Sequence, residues 1–192
     1  MKRKWKLWMI AFVVFVMTDI MMQSNRAEAK KRTFTVSSKT IPCSSSYRQK
    51  PYYNKKTKQY YMINSYMRRL STTGGTLKLK KGTYKIPGTI YVPSNVKIVC
   101  ANGVKIKKTK ATGTEKVKST KFLFQMISEE KASGKQNTGK YAASKNASIQ
   151  GNGKVIFDMG NVNGATAVFV GHASGITVSG VRFRNKKGGS YI

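Results

Sequence analysis

The residues best suited to chemistry form a basic group near the end of the sequence. They are Arg182, Arg184, Lys186, Lys187 and, upstream, His172, which is the single histidine. Closely spaced cations bind anionic groups by charge and hydrogen bonding, and a basic side chain can also accept a proton from a substrate. We take these five residues as candidates for substrate binding and assign no catalytic residue. The alternative interpretation is a solvated basic face.

Carboxylates, by contrast, are scarce. The 192 residues include 37 Lys and Arg but only six Asp and Glu. Downstream of residue 29 the acids are Glu115, Glu129, Glu130 and Asp158. Glu129 and Glu130 are adjacent, so their side chains would diverge if they lay in a strand. The sequence therefore predicts no metal site and no cofactor.

The first 29 residues have the organisation of an export signal. A basic start precedes an apolar run from Leu7 to Met17, and Ala27-Glu28-Ala29 provides small residues for cleavage. The apolar run is about half of the roughly 20 residues that cross a bilayer, so we expect no stable membrane span after cleavage. The expected location is outside the cell or at the cell wall.

Export would allow a disulfide bond, because disulfides persist outside the cytoplasm. Cys43 and Cys100 are the two cysteines, and a bond between them is possible. The alternative is that Cys100, within an apolar strand, is a small buried hydrophobic residue.

The remaining sequence divides into a leader, a helix and strands. Residues 30–58 are basic and polar without a sustained apolar period, which predicts an extended leader over the surface. From residue 59 to 70 the apolar residues recur at spacings of three and four, which predicts one amphipathic helix. After Gly75 the period changes to two, and short strands follow between turns that contain Gly, Pro or Asn.

Three segments share a strand, a glycine-containing corner and a second strand: 95–106, 146–157 and 175–183. Equivalent positions are Ile98, Ile149 and Val178, and their spacing would suit two coils followed by one coil of about 25 residues each. Such repeats favour a parallel solenoid whose coils stack about 4.8 Å apart. A sandwich or barrel of hairpins would fit the strand pattern alone.

Two segments at the start of the strand region carry a family resemblance. Residues 74–86 (GGTLKLKKGTYKI) and 89–98 (TIYVPSNVKI) resemble the opening of right-handed parallel β-helix proteins of the pectin lyase-like superfamily. In that superfamily a helix and the first strands form the N-terminal cap and first coils. Residues 149–153 and 176–185 are similar to its later coils. The resemblance covers residues 59–192 and implies an all-β, right-handed parallel β-helix with an N-terminal amphipathic capping helix.

The same resemblance implies a glycoside hydrolase or polysaccharide lyase, from which this chain departs. Polygalacturonases use an aspartate cluster, whereas Asp158 is the only acid after Glu130. Pectate lyases bind calcium through several carboxylates, which are also lacking. Because the sequence stops inside an expected strand, we expect an N-terminal portion whose active-site coils lie in a missing part.

Charge is the remaining indication of function. Five of the 37 basic and two of the six acidic residues lie in segment 1–29, so the exported chain would carry a net charge of +28. Such a chain attracts polyanions, and outside a cell these include acidic polysaccharides and cell-wall polymers. We expect a monomeric, secreted module that binds or helps to process acidic polysaccharide, without a specific nucleic-acid partner. The alternatives are a complete polysaccharide hydrolase or lyase and a basic exported structural protein.

Overall fold

The computed structural model describes residues 31–134, 143–160, 162–184, 188 and 191–192. The expected export signal at 1–29 lies outside these residues. Three helices are described: α1 (Ser45–Arg48), α2 (Lys58–Leu70) and α3 (Glu129–Ser133). The strands are β1 (Arg32–Val36), β2 (Gly75–Leu79), β3 (Gly82–Ile86), β4 (Ile90–Tyr91), β5 (Val96–Cys100), β6 (Val104–Lys108), β7 (Phe122–Gln125), β8 (Ser148–Gly151), β9 (Ile156–Asp158), β10 (Thr166–Phe169), β11 (Thr177–Ser179) and β12 (Arg182–Arg184).

The strands form three sheets, and every pairing between these strands is parallel. Sheet I has the order β1-β2-β5-β8-β11, sheet II has β12-β9-β6-β3, and sheet III has β10-β7-β4. The chain visits sheets I, II and III in turn with β2, β3 and β4, repeats this order with β5–β7 and β8–β10, and then adds β11 to sheet I and β12 to sheet II. The protein is therefore mostly β, with parallel strands and few helices.

Apolar side chains alternate along the strands and stack from one repeat to the next. In sheet I, Leu77 pairs with Ile98 and Ile98 pairs with Ile149, and all three are buried. In sheet II, Ile106 pairs with Phe157, whose ring centroid lies 5.3 Å from that of Phe124 in sheet III. Because alternate residues face the core, the intervening residues of each strand form the outer face of its sheet.

One corner shows why the repeats align. Gly74, Asn95, Asn146 and Gly175 each precede a strand of sheet I by one or two residues, and their φ angles lie between +54° and +67°. This left-handed conformation is open to glycine and, among other residues, mainly to Asn and Asp. Backbone hydrogen bonds join successive levels, as from Asn95 N to Lys145 O at 2.9 Å. Four residues that tolerate positive φ thus define the same turn in four repeats.

The predicted helix at 59–70 is confirmed as α2, which begins one residue earlier. It packs against β2, β3 and β4 and buries Ile63, Met67 and Leu70 there. Asn64, 1% exposed, accepts a hydrogen bond from Tyr91 N at 3.0 Å and donates one to Thr89 O at 3.0 Å. Its amide therefore satisfies backbone groups of β4 on the side that faces the helix. In the part of the chain that the structure describes, no helix is long and apolar enough to span a membrane.

The structure corrects the expected coil length. Ile98 pairs directly with Ile149, so the 51 residues between them, from their sequence positions, make one repeat rather than two. The additional length lies between β6 and β7 and in the region around α3. Only the interval from Ile149 to Val178, which also pair directly, has the expected length of a single repeat.

The leader is also more ordered than expected. Arg32–Val36 forms β1 and pairs with β2 in sheet I, where Val36 is buried against the core. The alternation of Thr33, Phe34, Thr35 and Val36 is a signal that could have identified this strand.

The possible disulfide is not formed in the structure, where Cys43 and Cys100 are free thiols. Cys100 is fully buried in β5, and burial raises the pKa of its thiol to about 12. Cys43 lies beside α2, where its backbone N donates to Ser65 Oγ at 3.0 Å and its Sγ donates to Ser65 O at 3.3 Å. The alternative interpretation of Cys100 as a buried small residue is the one that the structure supports.

The close stacking of repeats makes Gly151 intolerant of a side chain. A Cβ atom at this position would lie 2.1 Å from Gly180 O, which is backbone and cannot move aside alone. We expect Gly151→Ala to lower the free energy of unfolding by about 2 kcal/mol, as overpacking does. Gly134→Ala is the control, because its φ is −75° and its Cβ would meet nothing closer than 3.7 Å. Urea midpoints measure both, and equal midpoints would contradict this account of the repeat contact.

Candidate polyanion-binding face

The outer face of sheet II carries the densest array of cations that the strands align. Its side chains form two rows that cross β3, β6, β9 and β12. The first row is Thr83, Lys105, Ile156 and Arg182, and the second is Lys85, Lys107, Asp158 and Arg184. Neighbours within a row belong to strands about 4.8 Å apart. Five of these eight side chains are cationic and one is anionic.

The outer face of sheet I provides a comparison from the same fold. It also has two rows, and they consist mainly of hydroxyl, amide and aliphatic side chains with two lysines. The rows are Thr33, Thr76, Lys97, Ser148, Thr177 and Thr35, Lys78, Val99, Gln150, Ser179. The concentration of charge on sheet II is therefore not a general consequence of the basic composition.

Asp158 is the carboxylate of the sheet II face. It is 2% exposed, and its Oδ2 lies 2.9 Å from Lys105 Nζ. Its Oδ1 accepts a hydrogen bond from Gly160 N at 2.9 Å. The strand register places Lys107 on one side of it and Arg184 on the other. Asp158 thus neutralises part of the positive potential at the centre of this face.

All five cations of the face, including the ion-paired Lys105, are at least partly accessible to solvent. Lys85, Arg182 and Arg184 are exposed, and Lys105 and Lys107 are partly exposed. Lys85 is directly opposite Lys107, and like charges at opposite positions destabilise a sheet. A bound anion would relieve this repulsion, so the arrangement favours binding of a polymer with several negative charges.

The structure brings together only part of the sequence-predicted group. Arg182 and Arg184 lie on β12 at the edge of the face. His172 is exposed, with φ of +56°, in the turn that connects β10 of sheet III to β11 of sheet I. It is therefore not part of either row. Lys186 and Lys187 lie outside the described residues.

Glu129 and Glu130, the adjacent acidic residues, do not belong to the face of sheet II. These residues are in the first turn of α3, not in a strand, and there they contact the N-terminal helices. Glu129 accepts a hydrogen bond from the hydroxyl of Tyr47 and lies 3.9 Å from Lys50 Nζ. Burial and the Glu129 carboxylate raise the pKa of Tyr47 above its usual range.

Glu130 makes a corresponding contact with α2, where its Oε1 lies 3.5 Å from Arg68 Nε. The pair therefore attaches α3 to the leader and to α2. Asp158 is held elsewhere, by Lys105 on sheet II. Within the described ranges, no three or more His, Cys, Asp and Glu side chains are grouped as a metal site.

Sequence reasoning missed Lys85, Lys105 and Lys107 as members of the face. The alternation of β3 and β6 indicated that they point outward, but their alignment with Arg182 and Arg184 depends on the register between repeats. It also missed Lys108, which is fully buried. Desolvation by burial lowers the pKa of Lys108 to about 7.

Among models of protein families, curated proteins and solved structures, none matches this chain.

Proposed function

We propose that this chain is an exported right-handed parallel β-helix module that binds acidic polysaccharide through the outer face of sheet II. The three parallel sheets visited in a repeating order support the β-helix architecture. The contacts of α2 with β2, β3 and β4 support its role as the N-terminal cap. Binding, rather than cleavage, is the activity that the arrangement of charges favours.

The observation that carries the proposal is the pair of aligned rows on sheet II. A linear polymer that crosses the strands would meet Lys85, Lys107 and Arg184 along one row, and Lys105 and Arg182 along the other. Lys85 and Lys107 occupy neighbouring strands about 4.8 Å apart, whereas one strand separates Lys107 from Arg184 and Lys105 from Arg182, so several anionic units of one polymer can each reach a cation. A single small anion would use only a fraction of this face.

The class of polymer follows from the expected export and from the net charge. Outside a cell, acidic polysaccharides and anionic wall polymers are the abundant linear polyanions that a chain of this charge would meet. Lys and Arg also bind nucleic acids, and affinity for those would fall with salt in the same way. Specificity for sugars requires groups other than these cations.

The separate locations of the carboxylates support polymer binding, rather than hydrolysis, as the primary activity. Glycosidic hydrolysis by the usual routes uses two carboxyl groups within about 10 Å of each other across the bond. Asp158 is ion-paired within sheet II, whereas Glu129 and Glu130 are engaged by Tyr47, Lys50 and Arg68 near the N-terminal helices.

The test is neutralisation of the second row. In the full chain we expect Lys107→Ala combined with Arg184→Ala to weaken binding to polygalacturonate by about 30-fold, at about 1 kcal/mol for each cation near an anionic surface. The salt dependence of binding should become shallower, because fewer counterions are released. Isothermal titration calorimetry at several salt concentrations measures both effects.

Lys55→Ala combined with Lys56→Ala is the matched control. It removes the same charge from two exposed leader residues that belong to neither row. Equal loss of affinity in both double variants would mean that only net charge matters, and the sheet II face would then be refuted as the binding site. Tighter binding of single-stranded DNA than of polygalacturonate would refute the assignment of the polymer.

A further inference from the structure

A cleft of about 250 Å³ lies on the outer face of sheet I, away from the rows of sheet II. Its lining comes from β1, β2 and β5 and from the residues that follow β2, β5 and β8. The lining residues are Thr35, Lys78, Leu79, Lys80, Val99, Ala101 and Asn152. The volume is below the roughly 300–1,000 Å³ of sites for drug-sized ligands, so it suits one ring-sized group.

The cleft exists because β5 presents short side chains between longer ones. Val99 faces outward between Lys78 on β2 and Gln150 on β8. The next outward position is Ala101, directly after the end of β5, and parallel backbone hydrogen bonds continue there. Lys80 N donates to Val36 O at 2.8 Å, Ala101 N to Leu79 O at 2.9 Å, and Asn152 N to Cys100 O at 2.8 Å. Lys80 and Asn152 therefore flank Ala101 as Lys78 and Gln150 flank Val99.

This arrangement gives the cleft an apolar floor and a polar rim. Val99 and Ala101 form the floor, and they are the outward apolar residues at the middle of a face that is otherwise polar. The polar residues that line the cleft are Lys78, Lys80, Thr35 and Asn152, whose side chains offer two ammonium groups, a hydroxyl and an amide. A sugar ring has C–H groups on its face and hydroxyl groups at its edge, which match this floor and this rim. The two lysines add a preference for a carboxylate on the ring.

We propose that this cleft is a subsite for a single uronate unit, separate from the charged face of sheet II. The proposal rests on the proposed function for its class of ligand. It deepens that function, because the rows of sheet II recognise charge alone, whereas the floor of the cleft recognises the sugar ring. The ligand carboxylate pairs with Lys78 and Lys80, its hydroxyl groups bond to Thr35 and Asn152, and its C–H face lies on Val99 and Ala101.

The test uses the full chain labelled with ¹⁵N and in the methyl groups of valine, titrated with D-galacturonate. We expect resonances of Val99 and Ala101 to shift with saturation, and weaker shifts with D-galactose or inorganic phosphate at the same concentration. Lys78→Ala should weaken the D-galacturonate affinity about tenfold, as loss of a charged hydrogen bond does. Lys97→Ala, on the same outer face but in the other row, should change it less than twofold.

Each outcome separates this subsite from the proposed function. Shifts confined to the sheet II rows would overturn the subsite and leave polymer binding intact. Equal shifts with phosphate would overturn the sugar specificity. Saturable shifts at Val99 in a chain that fails to bind polygalacturonate would support the subsite while the proposed function fails. If Lys78→Ala were to fold poorly, Thr35→Val tests the same rim, and an unchanged affinity in that variant would count against the proposal.

Discussion

At pH 9, where the Lys108 amine is neutral in the folded chain, replacement of Lys108 by methionine is expected to lower the free energy of unfolding by about 2 kcal/mol. Lys108 is 0% exposed, and its Nζ lies within hydrogen-bond distance of four oxygens. They are Pro87 O at 3.1 Å, Gly88 O at 2.6 Å, Thr120 Oγ1 at 3.0 Å and Phe122 O at 2.8 Å. Methionine fills similar space but donates nothing. Pro87 O still accepts from Thr120 N, and Phe122 O still accepts from Thr89 Oγ1, so Gly88 O is the acceptor that loses its donor. A buried acceptor left unpaired costs about 1–3 kcal/mol.

The position of these oxygens explains why one amine has so large an effect. Pro87 and Gly88 lie in the turn before β4, whereas Thr120 and Phe122 lie at the start of β7 in the next repeat. Lys108 therefore joins two successive repeats and closes the segment between β6 and β7. Lys107→Met is the matched control, because Lys107 is adjacent but faces outward, and such surface changes stay within about 0.5 kcal/mol. Equal urea midpoints for the two variants would contradict this role of Lys108.

The same residue predicts a dependence of stability on pH. Burial lowers the pKa of Lys108 from its usual 10.5 to about 7, so between these pH values the unfolded chain binds a proton that the folded chain does not. Stability therefore rises with pH across this window. From pH 7 to pH 9 the wild-type chain should gain about 2 kcal/mol relative to Lys108→Met. A parallel pH profile for the two proteins, measured by urea unfolding, would contradict this expectation.

The fold was predictable to the extent that it depends on local pattern. Alternation identified β2, β3, β5 and β6, and the spacing of apolar residues identified α2. Internal similarity correctly aligned Ile98, Ile149 and Val178. It did not reveal that a repeat can contain a long segment between β6 and β8, because such a segment leaves the stacked core unchanged.

The candidate sites were less predictable because they depend on register across repeats. Arg182 and Arg184 stand out as a local cluster, whereas Lys85 and Lys107 join them only when β3, β6, β9 and β12 align. Lys108 occupies a position that alternation directs inward. Its partner oxygens lie 12 to 21 residues away in sequence, so no local signal indicated that its amine would find acceptors there.

Replacement of Asp158 by alanine is expected to lower the free energy of unfolding by about 3 kcal/mol. The change leaves the buried Gly160 N without the acceptor that lies 2.9 Å away, and a hydrogen bond to a charged group contributes about 1.5–3 kcal/mol. The lost ion pair with Lys105 adds less, because that lysine side chain is 41% exposed and solvent screens it. Asp158→Asn retains an oxygen for Gly160, so its loss should be smaller. Equal losses of stability in Asp158→Ala and Asp158→Asn would mean that the carboxylate charge, and not the hydrogen bond from Gly160 N, stabilises the fold.

Asp158 should have the opposite effect on the binding of polyanions. Because it is the negative charge between Lys107 and Arg184, we expect Asp158→Asn to increase affinity for polygalacturonate about fivefold, at about 1 kcal/mol for one charge near an anionic surface. Glu115→Gln is the matched control, since it removes the same charge from an exposed residue outside both rows and should change affinity less than twofold. The gain should shrink as salt concentration rises. If Asp158→Asn binds no more tightly than Glu115→Gln at low salt, the polymer does not lie across the sheet II face, because a polymer there would pass directly over this carboxylate.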